Sequence, residues 1–288
     1  MKYYTERNQR VQRNNRRKRR RILLIGVIIL LITAVVIGIQ SWTSPQISHG
    51  STSAAGSEQA AVSELTKLKM VPLGKTAPRE YNGQIRKIAY LTFDDGPSKY
   101  TEQLLDILKQ HDIKATFFMQ GSNVKGYEKA IKRLADEGHY PGLHSMTHDY
   151  KSLYRSGGSE NFLKEFNQVQ SLIKNITGQK PTLIRAPYGS MPQIGAQFRQ
   201  EVAGAGFKMW DWSIDSLDWK FPNKPDEVYK QVQQHVKQNL EVILFHEKKQ
   251  TLDALPKIIQ YLKQQGYEFE VYNPNAHIMM NFYKDRSL

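Results

Sequence analysis

Five short clusters of acids, imidazoles and one arginine stand out in the 288-residue chain. The first is Thr92-Phe93-Asp94-Asp95-Gly96-Pro97, two adjacent carboxylates before a Gly-Pro turn. Next to a metal ion, one carboxylate can ligate while its neighbour stays free as a base. The second is His144-Ser145-Met146-Thr147-His148. Two histidines four apart lie on one face of a helical turn and can chelate one ion. With Asp95 they make an Asp-His-His set that leaves positions open for water and substrate. Such donors suit Zn²⁺, and also Co²⁺, Mn²⁺ or Fe²⁺. The third is Arg185-Ala186-Pro187-Tyr188-Gly189, a permanent positive charge that favours the ionised form of a neighbouring carboxylate. Its turn can present a backbone N–H to a developing oxyanion. The fourth is WSIDSLDW, residues 212–219, which offers aromatic faces and the acids Asp215 and Asp218. The fifth is Leu244-Phe245-His246-Glu247, whose imidazole suits a general acid. Taken singly, each has an ordinary reading: an Asx-turn, a chance histidine pair, a surface arginine, a core tryptophan pair with capping acids, a structural histidine.

The elements that must position these clusters alternate along the chain. Strand-like runs at residues 87–93, 114–119, 139–144, 182–185, 207–213, 241–245 and 267–272 are separated by stretches of helical periodicity. Repeated β-then-α units predict a parallel sheet covered by helices, because parallel strands need crossover connections. Seven units fit an open doubly wound sheet or an imperfect barrel. Asp94 and Asp95 follow the first strand, His144 and His148 the third, and Arg185 ends the fourth. Asp215 and Asp218 follow the fifth, and His246 the sixth. All lie at strand carboxy-terminal ends, the face where active sites assemble in both architectures.

Charge separates a tail from a body. Residues 1–21 hold ten Lys and Arg against one acid, +9 of the total +14, so the remainder carries only +5. A nucleic-acid reading based on the whole-chain charge is therefore misled by the tail. The next 18 residues, ILLIGVIILLITAVVIGI (22–39), are uncharged and nearly all apolar. As a helix they span about 27 Å, close to the ~30 Å hydrocarbon core. They read as an uncleaved anchor in preference to a cleaved signal, with Trp42 at the interface and the arginines cytoplasmic. The carboxy-terminal bulk then lies outside. Residues 40–84 read as an extracellular stalk, residues 85–275 as the catalytic domain and residues 276–288 as a tail. There are no cysteines, so disulfides and thiolate ligands are excluded.

In order, TFDDG, HSMTH, RAPYG, the Asp218-Trp219 pair and LFH resemble the five motifs of the NodB-like polysaccharide deacetylases, carbohydrate esterase family four. HSMTH with its continuation through Tyr154 resembles membrane-anchored Gram-positive members acting on peptidoglycan. The resemblance implies a distorted (β/α)₇ barrel. Asp95, His144 and His148 would hold one divalent metal, Zn²⁺ first among the candidates. Asp94 would be the general base, paired with Arg185. The Tyr188 N–H would complete the oxyanion hole. His246 would protonate the leaving amine, with Asp218 turned toward it, although Asp215 competes for that part. Trp219 and Leu244 would shape the acetyl pocket.

The activity so implied is removal of acetyl groups from N-acetylglucosamine in peptidoglycan, conferring lysozyme resistance. Poly-N-acetylglucosamine, chitin oligomers, N-acetylmuramoyl units and O-acetylated xylan share the same machinery as alternatives. A tethered glycan-binding protein without catalysis should lack a ligand or base, yet Asp94, Asp95, His144, His148 and His246 are all present.

Overall fold

The computed structural model describes residues 80–81 and 84–288. The basic tail, the apolar segment 22–39 and most of the stalk lie outside the described residues. Among those described, no helix is long and apolar enough to cross a membrane. A two-stranded hairpin, β1 (Glu80–Tyr81) and β2 (Gln84–Ile85), comes first. The main sheet then follows: β3 (Lys87–Gly96), β4 (Thr116–Met119), β5 (Tyr140–Leu143), β6 (Leu183–Ile184), β7 (Lys208–Met209), β8 (Ile214–Asp215), β9 (Leu240–His246) and β10 (Tyr267–Phe269). Its helices are α1 (Thr101–Gln110), α2 (Glu128–Asp136), α3 (Tyr150–Tyr154), α4 (Glu160–Thr177), α5 (Ala196–Gly204), α6 (Pro225–His235) and α7 (Lys249–Gln264).

The path across the sheet is β7-β6-β5-β4-β3-β9-β8, every pair parallel. β10 adds to the first half of β3. The edge strands β7 and β8 do not pair with each other, so the sheet is a curled half-barrel, not a closed ring. One expectation is corrected here. The run at 207–213 is not a single strand: Lys208–Met209 forms one edge of the sheet and Ile214–Asp215 the opposite edge. Past Trp210, which bridges Met280 and whose indole N–H donates to the Ile278 carbonyl at 2.8 Å, the chain leaves β6. Asp211 takes the Ser190 and Phe282 N–H groups, and the Ser213 N–H then donates to the Val242 carbonyl of β9 at 2.9 Å.

β3 explains the layering. It is an almost unbroken buried run, as a central parallel strand must be. Successive side chains point to opposite faces. Ala89, Leu91 and Phe93 join the larger core, with Leu104 and Leu108 of α1, Phe166 and Val169 of α4, and Leu255 and Ile259 of α7. Ile88 and Tyr90 join a second core with Phe118, Leu183, Trp210, Val242 and Tyr272, inside the curl. Continuing that inner face two residues at a time reaches Thr92 and then Asp94. β9 runs alongside in register, with Tyr90 opposite Val242, Thr92 opposite Leu244 and Asp94 opposite His246. The period-2 rule alone thus stacks a polar layer on top of an apolar one.

Candidate active site

Asp94 sits at the top of this inner face, 3% exposed. Its Oδ1 accepts from Arg185 Nη1 at 2.8 Å. Arg185 follows β6 and is completely buried. It also donates to the Thr92 hydroxyl at 2.7 Å, to the Trp210 carbonyl at 3.2 Å and to the Asp211 carbonyl at 2.8 Å. Its guanidinium lies 4.2 Å from the Phe118 ring centre. Burial pulls its pKa down, opposed by the Asp94 charge. An arginine nonetheless keeps its proton, so Asp94 faces a fixed cation.

Asp95 is displaced from the strand by a bulge between Asp94 and Gly96, with φ at 65°. That left-handed conformation is uncommon for a side-chain-bearing residue and turns its carboxylate away from the core. Asn123 Nδ2 fixes its carbonyl at 2.9 Å. Asp95 Oδ1 is buried and has no hydrogen-bond partner among the described residues. It lies 3.5 Å from His144 Nε2 and 3.7 Å from His148 Nε2. Burial pushes the Asp95 pKa up, but the imidazoles of His144, His246 and His148 outweigh this and hold it below its ordinary value.

His144 Nδ1 is 2.8 Å from the Arg185 carbonyl. A carbonyl only accepts, so Nδ1 carries a hydrogen and Nε2 is the nitrogen left facing Asp95. Such outer contacts orient metal-binding imidazoles. The spacing of the histidines is not helical, contrary to the expectation. Residues 144–148 form a loop in which Ser145 and His148 both have positive φ, 59° and 58°. The loop is held from outside by Glu165 of α4. Its carboxylate accepts the Met146 N–H at 3.0 Å, the Thr147 N–H at 2.9 Å and the Ser152 hydroxyl at 3.0 Å.

One donor atom each from Asp95, His144 and His148 all fall within 4.8 Å of one another. An orphaned carboxylate oxygen facing two imidazole nitrogens is what a divalent metal would satisfy, and the residues fit one.

On the other side stands His246. Asp218, wholly buried, takes both its Nδ1–H at 2.7 Å and its backbone N–H at 2.6 Å. The Thr251 hydroxyl also donates to that carboxylate at 2.5 Å. Burial lowers the His246 pKa, but the Asp218 hydrogen bond and charge, with Asp94 and Asp95, push it up to about 9. The Pro187-Tyr188 turn is closed by the Gly189 N–H on the Ala186 carbonyl at 3.0 Å, with Tyr188 at φ 65°. Positive φ at the third turn residue usually selects glycine. Here a tyrosine adopts it, and its hydroxyl donates to the His148 carbonyl at 3.1 Å.

The cleft has a volume of about 440 Å³. Asp94, Asp95, His144, His148, Tyr188, Trp219, Leu244 and His246 all line it. Asp215 lines it too, whereas Asp218 is behind His246. Buried, ion-paired carboxylates beside convergent imidazoles and a protonated histidine are equipped for hydrolysis of an acyl bond.

The model of the polysaccharide deacetylase family matches residues 82–210. Over 264 residues the chain is 46% identical to a peptidoglycan-N-acetylglucosamine deacetylase of Bacillus cereus, covering 88% of this chain and 93% of that protein. The chain belongs to the polysaccharide deacetylases. These are hydrolases of the amide bonds of N-acetylated glycans, generally metal-dependent. The crystal structure of the polysaccharide deacetylase Bc1974 from Bacillus cereus superimposes with a TM-score of 0.68 at 46% identity, covering 70% of this chain and 100% of that one. The peptidoglycan-N-acetylmuramic acid deacetylase PdaC of Bacillus subtilis is 37% identical over 186 residues, 64% of this chain and 37% of that protein.

Three residues of this deacetylase's site escape motif reading. Glu165 supports the histidine loop. Asp211, fully buried, accepts from the Ser190 N–H at 2.8 Å and the Ser190 hydroxyl at 2.6 Å, fixing the end of the Tyr188 turn. Glu247, 7% exposed, accepts from the Ser98 hydroxyl at 2.8 Å and the Thr101 hydroxyl at 2.5 Å. A signal for Glu165 does exist. It interrupts the apolar stripe of Phe162, Phe166, Val169 and Ile173, and an acid on a buried helix face needs partners.

Proposed function

We propose that this deacetylase removes the acetyl group from N-acetylglucosamine residues of peptidoglycan, on the outer side of the cell membrane and with one bound divalent metal. The observation that carries the catalytic part is the pair of opposed ionic couples. Arg185–Asp94 and Asp218–His246 flank the donor set of Asp95, His144 and His148. A divalent ion on those donors, Zn²⁺ foremost and Co²⁺, Mn²⁺ or Fe²⁺ also suited, supplies Lewis acidity toward the amide carbonyl and water.

Asp94 Oδ2, the oxygen not engaged by Arg185, accepts a proton from the attacking water. Arg185 Nη1 holds Asp94 Oδ1 at 2.8 Å, which orients the carboxylate and leaves Oδ2 toward the water. The Tyr188 N–H donates to the carbonyl oxygen as it gains negative charge. His246, protonated at neutral pH, delivers its proton to the amide nitrogen as the carbon–nitrogen bond breaks. Acetate and a free amine result. Trp219 and Leu244 enclose the methyl group.

The peptidoglycan substrate is supported by similarity to the Bacillus cereus enzyme, and the N-acetylmuramoyl unit is the second reading, supported by similarity to PdaC. The apolar segment at residues 22–39, as an uncleaved anchor, would tether the catalytic domain within reach of the wall. On a wall, each new ammonium would repel cationic muramidases such as lysozyme. The test is to incubate the full chain with purified peptidoglycan, with chitin oligomers and with each plus chelator, and to assign the freed amines by sugar. Glucosamine from peptidoglycan, lost with chelator, is expected. Muramic acid alone would favour the second reading, and no freed amine would remove both.

A further inference from the structure

Six large hydrophobic side chains among the described residues are at least 38% exposed: Ile85, Tyr188, Met191, Trp219, Met279 and Phe282. Tyr188 and Trp219 line the cleft. Met191 follows Tyr188 closely in sequence. Met279 and Phe282 belong to the C-terminal segment, which meets the end of β7 through a bridge between Trp210 and Met280. Exposed apolar groups scattered singly need no explanation, whereas a group gathered beside a cleft marks a binding surface.

Phe282 is the most firmly built of them. Its backbone N–H donates to Asp211 Oδ2 at 2.7 Å, the same carboxylate that holds Ser190. Its ring meets Trp212 edge to face, 5.1 Å between centres, and Trp212 lines the cleft. A Cβ at Gly189 would fall 3.1 Å from the Phe282 ring and 3.2 Å from Trp212, so the bare glycine lets both rings close on the turn carrying Tyr188. The segment beyond is fixed as well. Asn281 Nδ2 donates to the Asp285 carbonyl at 2.8 Å, Arg199 pairs with Asp285 at 2.7 Å, and Leu288 is wholly buried. An aromatic ring this well held, yet left 38% exposed, loses little freedom when a ligand covers it.

We propose that Phe282, backed by Trp212, forms a subsite for a sugar ring of the glycan chain adjacent to the unit being deacetylated. This rests on reading the protein as a glycan N-deacetylase. A pyranose ring presents a face of C–H groups, which is matched by an uncharged aromatic surface and not by a polar one. The occupant follows from continuity, since Trp212 joins Phe282 to the cleft and a polysaccharide must extend past the cleft it reacts in.

The test compares wild type, Phe282→Ala and Phe282→Tyr as full chains, measuring acetate release from the N-acetylglucosamine pentamer, from peptidoglycan and from 4-nitrophenyl acetate. For Phe282→Ala, KM for the pentamer is expected to rise about tenfold, or about 1.4 kcal/mol, with kcat within twofold. The preference for pentamer over 4-nitrophenyl acetate, as a ratio of kcat/KM, falls by the same factor, and Phe282→Tyr restores it. An active wild type whose preference survives the alanine substitution would overturn the subsite alone. A wild type that releases no acetate from the pentamer or from peptidoglycan would overturn the deacetylase reading, and the subsite with it.

Discussion

Asp218 grips His246 at two points, with Oδ1 on the ring Nδ1 at 2.7 Å and Oδ2 on the backbone N–H at 2.6 Å. Ring and main chain are thus fixed by one buried carboxylate, which leaves Nε2 as the only nitrogen facing the cleft. The same carboxylate is the main reason the His246 pKa rises to about 9.

Replacing Asp218 by Asn removes the charge and keeps the shape. The alkaline limb of the pH–kcat profile should then move to lower pH, by roughly 1–2 units. The sign for stability is also defined. The folded pKa lies above the unfolded value, so the stabilisation is fully present below the unfolded pKa of about 6.5 and is lost as pH rises through about 9. Urea unfolding of Asp218→Asn should therefore show its largest deficit at neutral and lower pH and little at pH 10.

Asp94→Asn can still accept from Arg185 but cannot take a proton. We expect kcat to fall by about 10²–10⁴ with the melting temperature little changed. Full acetate release by this variant would exclude Asp94 as the base.

Glu165 reaches the histidine loop only through hydrogen bonds, so its effect should appear in metal affinity. Glu165→Ala should weaken Zn²⁺ binding by about 10–100-fold, measured calorimetrically, and broaden the visible spectrum of the Co²⁺ form. Glu165→Gln retains an acceptor for the Met146 and Thr147 N–H groups and should recover most of the loss. Equal affinity in all three proteins would show the loop to be held by other means.

Glu247 lies against Gly96, where a Cβ would fall 1.9 Å from its Oε1. Gly96→Ala should cost about 1–3 kcal/mol from overpacking, read by denaturant midpoint. Burial pushes the Glu247 pKa up to about 7, against the Ser98 and Thr101 hydroxyls that pull it down. A raised folded pKa means stability is full below the unfolded value of about 4.3 and declines as pH rises through about 7. Glu247→Gln should flatten that decline.

How much of this was legible in the chain follows from distance along it. Asp94, Arg185 and His246 could be placed because each ends a short apolar strand, and strand ends share a rim. The histidine pair was recognisable by type but not by conformation. A spacing of four fits a helical turn, and nothing local announces that Ser145 and His148 take positive φ. The run at 207–213 reads as one strand because Trp210 is apolar enough to continue it, whereas the partners it takes instead, Ile278 and Met280, lie far along the chain. Between the two acids of the fourth cluster, Asp218 is the one hydrogen-bonded to His246 and Asp215 is the one lining the cleft, a division of places that their spacing does not reveal. Asp211 and Glu247 act on partners up to 149 residues away, which no local pattern records, whereas Glu165 shows as an acid within the buried apolar stripe of α4.

The alternation along β3 carries a consequence for how such a chain can change. Ile88, Tyr90, Thr92 and Asp94 share the inner face while Ala89, Leu91 and Phe93 share the outer one. A substitution along this stretch changes one side chain and leaves the others on their own faces. A single codon gained or lost would instead exchange the two faces, sending Asp94 among the helices and a phenylalanine into the cleft. Lineages that keep the activity should therefore vary this segment in spelling and hold it constant in length.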